Sequence, residues 1–143
     1  MKKLTPILTV DAIEPLLPFW TEGIGFEVTA RVHHPPDDPD GPLGFVILSR
    51  DQSELMLQTR ASVEADLGER AEVDGRDLAA RMSRGLTTLF AEVESVDEVL
   101  GRLTDPEVAV PRRTTFYGMD EIFLMAPGGA LLGLAARLEV DDG

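Results

Sequence analysis

The chain has 143 residues, 43% of them hydrophobic and 27% charged, a composition that indicates one globular domain or two small repeats sharing a core. It contains no cysteine, which excludes a disulfide scaffold, a thiolate nucleophile and a thiolate metal site. The formal net charge of −13 favours solubility and, more weakly, cationic ligands. It disfavours nucleic acid phosphates and anionic lipid, so we expect neither as a partner.

The first residues give no sign of export. Met1-Lys2-Lys3 precedes only a short apolar stretch, which Pro6 and Asp11 interrupt, so no signal peptide is expected. No window approaches the ~18 apolar residues that cross a bilayer. We therefore expect a cytoplasmic protein.

A strand and a helix are the first predicted elements. Residues 4–10 form the strand, with Pro6 near its start. Asp11 offers an N-cap, and Trp20 is expected to pack in the core. The apolar positions at helical spacing and the terminating glycines are Ile13, Leu16, Leu17, Trp20, Gly23 and Gly25.

An alternating strand is predicted at residues 26–32, and the stretch HHPPDDPDGP, His33 to Pro42, follows it. This stretch holds both histidines of the chain and three carboxylates, which raises the question of a metal site. Its four prolines and one glycine predict a loop. Adjacent side chains on extended backbone point apart and the prolines fix the acids in turns, so we interpret the stretch as a solvated loop.

A hairpin is predicted next, with strands at residues 44–48 and 54–58 joined by 49–53. Residues 61–84 are polar with sparse apolar anchors. This composition predicts a linker with one or two short helices.

The pattern then begins again with a strand at residues 88–93 and a helix opening at Ser95. A short strand at 108–111 and a hairpin of residues 121–125 and 131–135 complete it. The spacing from Thr5 to Val10 recurs from Thr88 to Val93, which indicates an internal duplication.

The predicted fold class is therefore α+β, built from two βαβββ repeats. The predicted organisation is a first unit at residues 1–60, a helical linker at 61–85, a second unit at 86–137 and an acidic tail at 138–143.

Several short motifs, in this order, resemble the vicinal oxygen chelate superfamily, which includes glyoxalase I, bleomycin resistance proteins, fosfomycin-modifying transferases and extradiol dioxygenases. The motifs are Thr5-Pro6-Ile7-Leu8-Thr9-Val10, Leu17-Pro18-Phe19-Trp20, Gly25-Phe26-Glu27, Phe90-Ala91-Glu92-Val93, Tyr117-Gly118-Met119-Asp120-Glu121 and Ala126-Pro127-Gly128-Gly129. The resemblance implies that the two repeats form curved mixed sheets around a cavity, with one face of each sheet on helices and the other toward a ligand.

Period-two alternation assigns the residues of each strand to these two faces. Leu8, Val10, Leu55, Leu57, Leu89, Ala91, Leu132 and Leu134 are predicted to be core, and Thr9 to face the cavity. The candidate ligand-binding residues are Thr5, Ile7, Met56, Gln58, Thr88, Phe90, Glu92, Tyr117 and Gly133. Phe90 and Tyr117 could stack on a flat ligand; otherwise Phe90 fills the cavity and Tyr117 caps a strand.

Metal-using members of the superfamily place ligands at four sheet positions, which fall on Thr5, Thr88, Met56 and Gly133 here. A divalent cation needs converging imidazole or carboxylate groups, which this set lacks. The resemblance is therefore closest to the metal-free, bleomycin-resistance-like branch. We expect no metal, no cofactor, a small-molecule ligand and, as that branch implies, a homodimer.

The sequence favours ligand sequestration over catalysis, and two alternatives stay open. One is an enzyme, either a metal-dependent lyase or dioxygenase type, or an acid–base enzyme that uses Glu92. The other is a structural or interaction protein whose cavity is filled by side chains.

Overall fold

A computed structural model describes residue 3 and residues 5–67, 74–84 and 87–139. Residues 140–143 of the tail predicted at 138–143 and parts of the predicted linker lie outside these ranges. The described strands are β1 (Ile7–Val10), β2 (Glu27–His33), β3 (Leu43–Arg50), β4 (Ser53–Thr59), β5 (Thr88–Glu92), β6 (Glu107–Thr114), β7 (Met119–Met125) and β8 (Leu131–Arg137). The α-helices are α1 (Arg60–Leu67), α2 (Gly75–Arg84) and α3 (Val96–Arg102).

The strands form two four-stranded mixed sheets of the same topology. The first has the order β1-β4-β3-β2 and the second the order β5-β8-β7-β6. In each sheet the first strand pairs in parallel with the last strand of its unit, and the other pairs are antiparallel. The predicted α+β fold with two βαβββ units is thus confirmed.

The chain divides into two compact units, Met1–Gly85 and Leu86–Gly143. Within the first, α1 and α2 contact each other and also reach the sheet at β1. Val63 on α1 and Ala79 on α2 are buried, so the helices of the expected linker contribute to the core of this unit. Among the helices of the described ranges, none has the length and apolarity that crossing a bilayer requires.

The helical segment after β1 departs from a regular α-helix. It contains a 3-10 turn at Glu14–Leu16 and a π-helical stretch at Phe19–Ile24. Pro15 and Pro18 supply no backbone N–H, which explains the irregular hydrogen bonding. The predicted N-cap at Asp11 is wrong, because the turn begins after Ile13 with no side-chain cap.

The same segment ends at Gly25, whose φ of 104° is a left-handed conformation that favours glycine. Trp20, 1% exposed, packs edge-on against Phe19 and Phe26, which confirms its predicted place in the core. The Glu14 carboxylate accepts a 2.6 Å hydrogen bond from the backbone N–H of Leu43 and so ties this segment to β3.

Alternation along the strands produces the core of each unit. In the first, Leu8, Val10, Leu55 and Leu57 are buried as predicted. In the second, Leu132 and Leu134 are buried with Val96 and Val99 of α3, whereas Leu89 and Ala91 are half-buried. We call the sheet surface opposite these core residues the open face of each unit.

The His33–Pro42 stretch is a loop except for His33, the last residue of β2. Nδ1 of His33 lies 2.8 Å from the carbonyl oxygen of Gly41, and the Asp38 carboxylate accepts from the backbone N–H of Asp40. The ring and one carboxylate thus make contacts that close the loop on itself.

Candidate functional site

Residues paired across neighbouring strands share a face, so the registers group the open-face residues into rows. On the first open face the middle row is Ile7, Met56, Ile47 and Ala30, and a second row is Thr9, Gln58, Phe45 and Val32. The middle row is entirely apolar, yet Ile7 at its end is 46% exposed. An apolar surface with this exposure can hold the apolar part of a ligand.

Gln58 and Thr9 are the polar members of this second row. The Gln58 amide donates to the hydroxyl of Ser62 on α1 at 3.1 Å. Thr9 is buried, and its hydroxyl has no hydrogen-bond partner in the described part of the chain. The exposed surface of this row therefore comes from its other residues, and Thr9 lies below it.

A polar row borders the apolar one on the same face and consists of Glu54, Ser49 and Glu27. The Thr5 hydroxyl donates to the Glu54 carboxylate at 3.1 Å, and Lys3 pairs with the same carboxylate at 2.8 Å. Hydrogen bonds from Lys3 and Thr5 hold the pKa of Glu54 below its usual value. Thr5 is therefore engaged within the protein.

Beside this polar row lies an open depression of about 420 Å³. Its walls include Glu27, Ser49 and Asp51, together with Arg50, which donates to the Gly25 carbonyl at 2.8 Å. The depression is polar, and the adjoining face is apolar.

The second open face has the same layout with different chemistry. Its middle row is Phe90, Gly133, Phe123 and Val110. The row on one side is Thr88, Leu131, Met125 and Glu107. The row on the other side is Glu92, Ala135, Glu121 and Arg113. The register therefore places the candidates Thr88, Phe90, Glu92 and Gly133 on one face. Phe90 is 56% exposed.

Gly133 lies under an aromatic pair. The ring centroids of Phe90 and Phe123 are 6.4 Å apart. A Cβ on Gly133 would come within 2.7 Å of the Phe123 ring and 3.1 Å of the Phe90 ring. Glycine is thus the residue that allows both rings to lie over the middle of the sheet.

Glu121 is the buried charge of this face, with its side chain 1% exposed. The Tyr117 hydroxyl donates to one carboxylate oxygen at 2.6 Å, and Nε and Nη2 of Arg113 donate to the other at 3.2 and 2.9 Å. These bonds, that of Tyr117 foremost, lower the pKa of Glu121, which stays ionised at neutral pH. The hydrogen bond to Glu121 in turn raises the pKa of Tyr117.

Glu92, the candidate acid–base residue, lies in the same row and is itself in an ion pair, with Nε of Arg137 3.3 Å from its carboxylate. The neighbouring Arg112 belongs to the opposite face. It joins Asp97 on α3 to Asp120 on β7, each at 2.6 Å.

No family model matches the sequence, and no curated protein matches it significantly. Solved structures match over nearly the whole chain. TioX from Micromonospora sp. ML1 is 15% identical with a TM-score of 0.68, covering 96% of this chain and 100% of its own. A glyoxalase-related enzyme from Fulvimarina pelagi is 17% identical with a TM-score of 0.66, covering 100% of this chain and 96% of its own.

A third structure is a glyoxalase/bleomycin resistance protein/dioxygenase from Nocardioides, 18% identical with a TM-score of 0.64 over 100% of this chain and 87% of its own. The chain has the glyoxalase-like fold. This likeness confirms the fold that the sequence resemblance implied.

Metal-using members of the superfamily carry ligands at four sheet positions, and the residues at those positions of this chain do not fit a metal. The Thr5 hydroxyl is bound to Glu54, Met56 offers a thioether in an apolar row, and Gly133 has neither a side chain nor room for one. The remaining position, Thr88, offers only a hydroxyl. The described residues contain no group of three or more His, Asp or Glu side chains placed to hold an ion.

Sequence reasoning missed Arg113 and Glu121. A signal for both exists in the sequence. Glu121 is the one carboxylate among the alternate positions of β7 that share a face with Phe123 and Met125. Arg113 lies eight positions before it, on the other strand of the hairpin. Tyr117 was expected at the site as a stacking residue. It contributes there through its hydroxyl bond to Glu121.

Proposed function

We propose that this chain is a metal-independent small-molecule-binding protein that takes the apolar part of its ligand on the open faces and acts in the cytoplasm. The observation that carries the proposal concerns Met56 and Gly133. These are two of the four positions at which metal-using members of the superfamily carry ligands, and here they are parts of apolar middle rows that end in exposed Ile7 and Phe90. Burying apolar surface on such rows gains about 25 cal/mol per Å².

Binding without reaction is also supported by the charged groups of the second open face. Glu92 is held by Arg137, and Glu121 by Arg113 and Tyr117. Both carboxylates are thus engaged within the protein, which favours ligand positioning over proton transfer.

We propose further that the functional form is a homodimer. β6 is an edge strand of the second sheet, and all its residues are exposed. Val108 and Val110 on this strand are 49% and 38% exposed, and Phe116 in the following turn is 100% exposed. An exposed edge strand with apolar side chains is a surface that a second chain covers.

A thermal-shift screen of antibiotics and metabolites, with and without EDTA, tests the proposed function. We expect a ligand whose stabilisation is the same in EDTA, about 2.7 kcal/mol at 100 times its dissociation constant. The stabilisation should fall in the variants Ile7→Asn or Phe90→Asn. It should persist in the matched control Leu138→Asn, at an exposed apolar residue beyond the end of β8 and outside both open faces. A stoichiometric divalent ion in the purified protein, together with loss of the stabilisation in EDTA, would refute metal independence.

A further inference from the structure

The two side chains of the Arg113–Glu121 ion pair differ in their exposure to solvent. The Glu121 side chain is 1% exposed, whereas that of Arg113 is 57% exposed. The negative end is therefore inside the sheet and the positive end outside. A ligand that approaches this row meets the guanidinium first.

The guanidinium group of Arg113 is also held in one orientation and keeps N–H donors that make no bond to Glu121. Its Nε and one N–H of Nη2 are used on a single carboxylate oxygen of Glu121. A guanidinium has five N–H groups, so three remain on this exposed fork. A guanidinium held by a buried carboxylate loses little conformational entropy when it binds an anion, and its fork matches a carboxylate or phosphate.

The aromatic pair lies in the adjacent row. Phe123 is paired with Val110 on β6, and Glu121, the partner of Arg113, is two residues before Phe123 on the same face. Diagonal neighbours on one face of a regular sheet are about 7–8 Å apart, a distance that one or two fused rings span. The register shift between Val110 and Arg113 keeps Arg113 opposite Glu121, so it remains a diagonal neighbour of Phe123. The Phe90 and Phe123 rings are inclined to each other by 51°, so a flat ring system that stacks on one meets the edge of the other. Packed there, it would carry an acidic substituent to Arg113.

We infer that the second open face recognises a flat, apolar molecule bearing a carboxylate or similar anion, with the ring system on Phe90 and Phe123 and the anion on Arg113. This inference rests on the proposed function and names the ligand class of that site. It reverses the weak preference for cations that the net charge suggests.

The net charge of −13 does not prevent an anion from binding at Arg113. At physiological salt, charges more than about 8 Å apart are largely screened, whereas Arg113 would touch the anion. On the same face, Glu92 forms an exposed ion pair with Arg137, and Glu107 lies two rows from Arg113. Local contact therefore outweighs the acidic surface.

Titration of the full-length protein with 2-naphthoate and with 2-naphthamide, its uncharged isostere, tests this inference by calorimetry. We expect wild type to prefer naphthoate. Arg113→Gln should weaken naphthoate binding at least about tenfold and leave naphthamide unchanged, since a bond to a charged group is lost. Phe90→Ala should weaken both. Arg112→Gln, the same charge change on the opposite face, should leave the preference intact.

Removing Arg113 alone leaves Glu121 without its cation, so the double variant Arg113→Gln/Glu121→Gln provides a second measurement with a neutral pair. It should lose the preference as well, with its fold checked by circular dichroism. Equal binding of the two probes to wild type, an unchanged preference in both Arg113 variants, or no binding of either probe would overturn the inference. None of these outcomes bears on a ligand found in the thermal-shift screen, so the proposed function stands or falls separately.

Discussion

Gly133 and Phe123 are in contact across β8 and β7 so closely that a Cβ on Gly133 would lie 2.7 Å from Cε1 of the Phe123 ring. Gly133→Ala must therefore displace a half-buried ring from the aromatic pair. We expect it to lower the free energy of unfolding by about 1–3 kcal/mol, the usual cost of overpacking. Urea unfolding measures this change.

The matched control for that substitution is Gly101→Ala in α3, where an added Cβ meets nothing within 4 Å. Replacing a helical glycine with alanine in open space gains about 0.5–1 kcal/mol. The two variants should thus move stability in opposite directions. A Gly133→Ala protein as stable as Gly101→Ala would contradict the packing described for the aromatic pair.

The ionisation of Tyr117 can be followed directly, because it is the only tyrosine of the chain. Its bond to the Glu121 carboxylate raises the pKa of its phenol above the usual 10.0. In an ultraviolet titration of the phenolate, Glu121→Gln should move that pKa back toward the usual value, since the amide carries no charge. Glu92→Gln, a change in the same row, should leave the titration unchanged.

The same bond predicts the acid stability of the second unit. The folded pKa of Glu121 is lowered from 4.5, so this carboxylate stabilises the fold above that pH and the contribution is lost as the pH falls through the folded pKa. Tyr117→Phe removes the largest cause of the shift. It should lower the free energy of unfolding at pH 7 and differ less from wild type in acid.

Urea unfolding at pH 7 and at pH 3 distinguishes this effect from a loss of packing. Thr104→Ala removes an exposed hydroxyl elsewhere in the second unit, serves as the control and should match wild type at both pH values. If Tyr117→Phe lowered the free energy of unfolding equally at the two pH values, the hydroxyl would contribute nothing through the ionised carboxylate of Glu121.

The proposed dimer predicts an effect at Val108, on edge strand β6. Val108→Lys places a charge on the apolar edge, which disfavours the addition of a second strand. Analytical ultracentrifugation should show a dimer for wild type and a shift toward monomer for the variant. Glu98→Lys, on the exposed surface of α3, introduces the same side chain and should leave the dimer intact. Monomeric wild-type protein at all concentrations would remove the basis for the proposal.

Alternation and duplication sufficed to predict the two sheets and the common face of Ile7 with Met56 and of Phe90 with Gly133. These assignments need only a strand of regular pleat, in which every second residue shares a face. The hydrophobic pattern also fixes the register, since a slip by one residue would turn the core leucines outward. Fold and middle rows are therefore encoded locally in the sequence.

The Arg113–Glu121 pair could not be predicted in the same way. Val110 and Arg113 are three residues apart, and regular alternation places them on opposite faces. An irregularity between them in β6 restores both to the open face, opposite Phe123 and Glu121. Bulges depend on the partner strand and on the twist of the sheet, which the single-strand pattern does not contain.

The histidine-rich loop provides the last prediction. Nδ1 of His33 lies within hydrogen-bonding distance of the Gly41 carbonyl oxygen, 2.8 Å, and the site is partly buried. His33→Phe removes this bond and should lower the free energy of unfolding by about 0.5–1.5 kcal/mol. Asp37→Ala, on the exposed part of the same loop, is the control and should change stability little. Urea unfolding checks the stability of both variants, and elemental analysis their metal content. A metal bound by wild type and lost in His33→Phe would show that this histidine is a ligand, contrary to its role in closing the loop.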